Sequence, residues 1–254
     1  MKRAPGTVSG RVLGRVLESG PTRLVLEVPG WPGHRPGQFA MLGLTPELVH
    51  RDPLLPRPMA VYRGNASALE FRFKVVGRGT RIMAELAPGA VVSVLGPLGN
   101  GFAPPDGPAT LVGGGSGIAS LYELAEARSP GLRVLLGGRS RADILGLEDF
   151  EKLGVDLRLA TDDGSLGERG FVTDLLAPRA GETVYACGPL GMMQRAHALA
   201  GEAGARCVVS LENNMACGFG VCLGCVVKTP AGFRYVCTHG PVFESGTLGW
   251  GAAT

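Results

Sequence analysis

Four cysteines near the C-terminus have the residue type and the spacing to hold iron. Cys217, Cys222 and Cys225 are separated by four and then two residues, and Cys237 follows after a segment whose composition predicts a hairpin. Thiolates at this spacing are typical of plant-type [2Fe–2S] ligation. The three glycines between the first three cysteines allow sharp turns that point backbone N–H groups at sulfur. The segment therefore predicts an electron-transfer cluster.

Other uses of these cysteines remain open: a structural zinc site, a disulfide pair or free core thiols. Zinc sites usually combine two short CxxC-like pairs, whereas here the first gap is longer and Cys237 stands alone. Disulfides suit small secreted frameworks. His239 suggests a Rieske centre, but it is an extra residue beside four cysteines, and we interpret it as a solvated loop histidine. Zinc is the main alternative to the cluster.

Length and charge restrict the remaining possibilities. A chain of 254 residues with 45% hydrophobic content can bury more than one core. The net charge is +3 and the basic residues are scattered, so a nucleic-acid-binding surface is not expected. No apolar run is long enough for a membrane span, and no signal-peptide pattern is present. We expect a cytoplasmic protein.

The first part of the chain, up to residue 95, has short alternating runs separated by turn residues. About six such strands predict an antiparallel barrel, interrupted by one helix at 80–86. Within it, Arg57 follows a proline-rich loop and could grip an anionic group, although an arginine there also suits a surface ion pair. The turn from Gly77 to Thr80 precedes the helix and could bind a phosphate, or could simply be an N-cap turn.

From Ala109 the pattern changes to alternating strands and helices, which predicts a parallel doubly wound sheet. Helices are expected at 116–128, 149–153, 172–176 and 192–203. The glycine-rich stretch 113–117 lies at the first strand-to-helix turn, where such folds bind a dinucleotide pyrophosphate, although it could serve packing alone. Cys187 ends a later strand at the same sheet edge. By charge alone, Arg139 and Arg141 favour the 2′-phosphate of NADP.

Seven motifs together resemble the ferredoxin reductase superfamily and, more closely, the family of electron-transfer subunits of type B dihydroorotate dehydrogenase. Their order covers nearly the whole chain: RPMAV (57–61), KVVGRGT (74–80), GPLGNGF (96–102), GGGSGIA (113–119), TDDGSLGERG (161–170), CGP (187–189) and CTHGPVF (237–243). The resemblance implies an FAD-binding β-barrel at 1–105, a nicotinamide-dinucleotide-binding α/β domain at 106–211 and a [2Fe–2S] domain at 212–254.

The resemblance also implies the cofactor contacts. FAD is expected on Arg57, Pro58, Met59, Ala60, Val61, Lys74, Gly77, Gly79 and Thr80, and the nicotinamide dinucleotide on Gly113, Gly114, Gly115, Gly117, Cys187, Gly188 and Pro189. Cys217 and Cys222 would hold one iron, and Cys225 and Cys237 the other. The family uses NAD, whereas the charges of Arg139 and Arg141 favour NADP; we follow the family. Ala60 replaces a serine of the family, which puts flavin tuning in doubt.

The function implied is electron transfer in pyrimidine biosynthesis. An FMN-containing catalytic subunit would oxidise dihydroorotate, and this chain would pass the electrons through [2Fe–2S] and FAD to NAD+, in an α2β2 assembly. No side chain is expected to act as an acid or base. Alternatives are a similar subunit of a hydrogenase or sulfide-dehydrogenase-type complex and, from a different class, a zinc-stapled nucleotide-binding module.

Overall fold

The computed structural model describes residues 11–20, 22–44, 53–127 and 129–250, the first of these ranges as backbone. Within them the chain forms two seven-stranded sheets and one two-stranded hairpin.

The first sheet is antiparallel and has the strand order β4-β3-β7-β1-β2-β6-β5. Its elements are β1 (Arg11–Gly20), β2 (Arg23–Glu27), β3 (Phe39–Gly43), β4 (Arg57–Ala60), β5 (Arg63–Gly64), β6 (Ala68–Arg72), helix α1 (Arg78–Glu85) and β7 (Val91–Leu98). Strands β4 and β5 lie at opposite edges of this order, yet only Val61 and Tyr62 separate them in the chain. The chain therefore closes the sheet, and the predicted antiparallel barrel is confirmed.

Strand β3 has buried residues on both of its faces. Ala40 and Leu42 belong to the barrel core, whereas Phe39 and Met41 pack outside it against the cysteine segment. Successive side chains of a strand point to opposite faces, so a fully apolar β3 can serve two cores at once.

The second sheet has the order β11-β10-β9-β8-β12-β13-β16 and is parallel except for β16. Its strands are β8 (Ala109–Gly114), β9 (Arg133–Gly138), β10 (Asp156–Thr161), β11 (Glu168–Arg169), β12 (Thr183–Cys187), β13 (Arg206–Ser210) and β16 (Val242–Glu244). Its helices are α2 (Tyr122–Glu126), α3 (Leu147–Glu151) and α4 (Leu190–Glu202). The doubly wound sheet predicted from the β/α alternation is confirmed.

Two of the predicted helices are 3-10 helices over part or all of their length. The stretch 116–128 begins as a 3-10 helix over Gly115–Leu121 and becomes α-helical only at Tyr122, and 172–176 is a 3-10 helix over Val172–Leu175. Glycine has low helix propensity, so the glycine-rich start of the first of these favours a short, tighter turn.

The C-terminal segment consists of β14 (Val226–Thr229), β15 (Gly232–Tyr235), α5 (Val236–His239) and β16. The first two strands form the predicted hairpin. Strand β16 pairs with β13, and Leu248 behind it is buried in the core of the second sheet. The segment thus contacts both larger sheets, and its boundary at residue 212 stays a prediction.

Candidate functional site

The four cysteine thiols come in two pairs. The Sγ atoms of Cys225 and Cys237 are 3.2 Å apart, because the hairpin returns the chain and Val236 N–H donates to the Cys225 carbonyl at 2.9 Å. In the other pair, the Cys222 N–H donates to the Cys217 sulfur at 3.5 Å. Among the described residues, no three His, Cys, Asp or Glu side chains converge on a single ion. Two thiol pairs are the arrangement that a [2Fe–2S] cluster needs, with two cysteines on each iron.

Backbone amides point at these sulfurs. Burial alone would raise the pKa of the Cys217 thiol, but hydrogen bonds with the amides of Cys222 and Phe219, the Cys222 thiol and the Val221 amide outweigh it and lower that pKa to about 7. The Cys237 N–H donates to the Cys225 sulfur at 3.4 Å. Amides of this kind stabilise negative charge on thiolate sulfur, so the donors and their surroundings fit a [2Fe–2S] cluster.

The loop carrying Cys217 lies directly on the barrel. Gly218 has φ +81°, and a Cβ there would lie 2.5 Å from Cγ and 2.8 Å from Sδ of Met41. Glycine is therefore required for both the conformation and the close approach. Cys225 and Cys237 are buried, whereas Cys222 is exposed.

Asn100 fastens the other side of the cysteine segment and is a site residue that the sequence did not single out. Its Nδ2 donates to the carbonyls of His239 and Val242 at 3.2 and 2.8 Å, and its Oδ1 accepts from Val242 N–H at 2.9 Å. Asn100 lies within the GPLGNGF motif, but nothing in that motif indicates a partner so distant in the chain.

Four of the expected FAD residues, Arg57, Gly77, Gly79 and Thr80, lie together where β4 meets α1. A Cβ on Gly79 would lie 2.2 Å from Nε of Arg57, so the guanidinium of β4 lies on the first turn of α1. The Thr80 hydroxyl accepts from Val76 and Gly77 N–H at 3.0 and 3.1 Å and holds that turn. A cation beside the start of a helix favours a phosphate.

Lys74, also expected at FAD, forms an ion pair with Asp143 of the second sheet's domain. Burial raises the pKa of Tyr62, whose hydroxyl donates to Asp149 at 3.0 Å and whose ring stacks on Tyr122 at 4.3 Å. These contacts hold the barrel and the α/β sheet in a fixed relation, and they join residues without a local sequence signal.

The expected nicotinamide residues also lie together, at one edge of the second sheet. Cys187 is the parallel partner of Gly113, and a Cβ on Gly117 would lie 2.4 Å from the Cys187 carbonyl carbon. The two glycine turns, 113–117 and 187–189, therefore abut at the carboxyl ends of β8 and β12. The Cys187 thiol is buried, and burial raises its pKa to about 12. Its side chain is shielded from solvent.

Ser116 links this edge to the cysteine segment by donating to the Glu212 carboxylate at 3.2 Å. Arg139 is 83% exposed, and its Nε lies 3.8 Å from the Asp143 carboxylate. No motif indicates the hydrogen bond between Ser116 and Glu212, which lie 96 residues apart.

A closed antiparallel barrel followed by a doubly wound sheet defines a ferredoxin reductase-type flavoprotein. A solved structure of an NADH-dependent reduced ferredoxin-NADP oxidoreductase, reported in the context of flavin-based electron bifurcation, superposes with a TM-score of 0.79. It is 28% identical and the match covers 95% of this chain and 91% of that one.

The family model for the iron–sulfur cluster binding domain of dihydroorotate dehydrogenase B matches residues 212–249. The dihydroorotate dehydrogenase B (NAD(+)) electron transfer subunit of Geobacillus kaustophilus is 40% identical over 244 residues, covering 89% of each chain. The subunit of the same name from Clostridium acetobutylicum is 35% identical over 217 residues, covering 84% of this chain and 86% of that one. The chain belongs to this family of dihydroorotate dehydrogenase B electron-transfer subunits.

The chain is accordingly an oxidoreductase component that uses FAD, a [2Fe–2S] cluster and NAD, and that works with a catalytic partner subunit. Within the described ranges, no helix has the length and apolar character to cross a bilayer.

Proposed function

We propose that this subunit takes electrons from an FMN-containing catalytic subunit that oxidises dihydroorotate and delivers them to NAD+ in pyrimidine biosynthesis. The observation that carries the proposal is the pairing of four cysteines, with backbone amides directed at the sulfurs of Cys217 and Cys225 and with the loop of Cys217 fixed to the barrel. A cluster passes single electrons and a flavin exchanges one or two, so the set of cofactors connects one-electron transfer to hydride transfer.

The residues of this chain bind the cofactors and orient them. We assign one iron to Cys217 and Cys222 and the other to Cys225 and Cys237. We assign FAD to Arg57, Pro58, Met59, Ala60, Val61, Lys74, Gly77, Gly79 and Thr80, and NAD to Gly113, Gly114, Gly115, Gly117, Cys187, Gly188 and Pro189. Because the Cys187 thiol is buried, half-buried Gly188 and exposed Pro189 are the parts of that turn available to a nicotinamide.

The partner surface of this proposal surrounds exposed Cys222. Phe219, Val221 and Leu223 are 44%, 72% and 51% exposed, a concentration of apolar side chains that suits a protein interface. Leu223 also has φ +57°, a left-handed conformation that bulky residues rarely adopt. A strained residue on an exposed loop supports a functional role. We propose that this surface docks the catalytic subunit in a cytoplasmic α2β2 assembly.

The decisive experiment is anaerobic spectroscopy of the purified chain, with iron, sulfide, zinc and FAD analyses. Flavin and cluster absorption bleached by NADH much faster than by NADPH is the expected result. A colourless protein with stoichiometric zinc would overturn the proposal and support the zinc-stapled module.

The interface is tested with Leu223→Asp, with Phe171→Asp as the matched control because Phe171 is 68% exposed on the second domain. We expect Leu223→Asp to weaken assembly with the FMN subunit at least about tenfold, since burying an unpaired charge costs more than 1.4 kcal/mol. Sedimentation also gives the stoichiometry. Normal assembly of the Leu223 variant would exclude the surface.

The superposition on the ferredoxin-NADP oxidoreductase favours one other candidate, a subunit of a different flavin and iron–sulfur complex. The two functions differ in the catalytic partner. Dihydroorotate-dependent reduction of NAD+ by the reconstituted complex would support the first, and its absence with a fully loaded complex would support the second.

A further inference from the structure

Strand β3 lies between the expected flavin strand and the cysteine loop. On one side it pairs with β4 in a register that places Phe39 opposite Ala60 and Met41 opposite Pro58. Directly paired residues of neighbouring strands point their side chains to the same face of a sheet. Pro58 and Ala60, both assigned to FAD, therefore share the outer face of the barrel with Phe39 and Met41.

That same outer face carries the cysteine loop. Phe39, Met41 and Leu98 form one buried group with Cys225, Val236 and Cys237. Gly218, next to ligand Cys217, allows the backbone of the loop to reach the Met41 side chain. Phe39 and Met41 are 4% and 1% exposed, so their side chains are held by packing on every side.

We propose that Phe39 and Met41 are positioning residues for electron transfer: they fix the cysteine loop against the strand that carries FAD and so set the separation of the two redox sites. The inference rests on the proposed function. Both side chains stand on one rigid strand, and precise geometry is most reliably kept by packed residues on regular elements.

The test is Met41→Ala in the FAD- and iron-loaded chain, with Met41→Leu as the conservative variant. Leu24→Ala is the matched control because Leu24 is buried in the barrel core, in a group that contains no cysteine ligand. Stopped-flow spectroscopy follows flavin reduction by NADH and cluster reduction from the flavin as separate phases. Iron loss to a chelator in the oxidised chain measures anchoring of the loop independently of activity.

We expect Met41→Ala to leave flavin reduction unchanged and to slow cluster reduction severalfold, because the rate of electron transfer falls as the two redox sites move apart. Its iron should also be lost faster, whereas Met41→Leu and Leu24→Ala should behave as wild type in both measurements. If Met41→Ala fails to fold, Met41→Val provides a smaller truncation with the same expected direction. Wild-type cluster reduction in folded Met41→Ala or Met41→Val, or equal slowing in Leu24→Ala, would overturn the inference. Absence of iron or FAD from the wild-type chain would instead overturn the proposed function.

Discussion

The Arg57 side chain fits against Gly79 because this glycine has no side chain: a Cβ there would lie 2.2 Å from the guanidinium Nε. The two residues come from β4 and α1, and they meet at the place proposed above for a phosphate of FAD.

Gly79→Ala should therefore displace Arg57 and weaken FAD binding by roughly 10- to 100-fold, since a charge-assisted hydrogen bond contributes about 1.5–3 kcal/mol. Titration of the apo-chain with FAD, followed by flavin fluorescence, measures the effect. Gly201→Ala on α4 is the control, because a Cβ there meets nothing within 4 Å. An unchanged dissociation constant for Gly79→Ala would remove Arg57 and Gly79 from the FAD site.

Gly218→Ala should reduce iron and sulfide content per chain. The left-handed backbone costs an alanine about 1–2 kcal/mol, and the new Cβ would overlap the Met41 side chain. Gly224→Ala is the comparison within the same loop, because its Cβ would lie 3.7 Å from the Cys222 sulfur, an ordinary contact. Equal iron content in the two variants would contradict this account of the loop.

Asn100→Ala should loosen the cysteine segment, because the side chain makes three hydrogen bonds to residues 239 and 242. At about 1 kcal/mol each, we expect amides of 236–250 to exchange hydrogen at least tenfold faster. Mass spectrometry of exchange checks this. In Asn65→Ala, which removes hydrogen bonds to Ser67 and Ala68 in a barrel turn, the faster exchange should stay in the barrel.

Glu182 should make the stability of the second domain dependent on pH. Burial would raise the pKa of this carboxyl, but hydrogen bonds from Thr110, Arg133 and the Arg179 N–H outweigh it and lower that pKa. Its contribution is therefore present above the unfolded pKa, about 4.3, and is lost as pH falls through the lower folded value.

Glu182→Gln should reduce the free energy of unfolding by about 1–3 kcal/mol at neutral pH, with the difference shrinking below about pH 4. Urea denaturation across this range is the measurement. A difference between wild type and variant that stays constant with pH would show that the charge of Glu182 is not its cause.

The features predicted correctly from the sequence have local causes. The cysteine spacing and the turn at residues 230–231 predict the hairpin that brings Cys237 to Cys225, and alternation of apolar residues predicts the barrel. Strand β3 differs: its continuous apolar run shows that it is buried but not that one face serves a second core.

The remaining contacts could not be predicted because they join distant parts of the chain. Asn100 meets residues about 140 positions later, and Ser116 meets Glu212, through single polar groups that also occur in ordinary turns. Likewise, Val242 to Glu244 are too few to indicate which strand they pair with.

The pairing of β13 with β16 determines where the chain can be truncated. A chain truncated after residue 211 would leave β13 as an unprotected edge, with Val208, Val209 and Ser210 deprived of their antiparallel partners. Exposed hydrophobic edges promote aggregation, so removing the cysteine segment should also cost the reductase core its solubility. The stretch that carries the thiols thus covers the edge of the second sheet as well as holding the cluster. Deleting it would remove both roles at once.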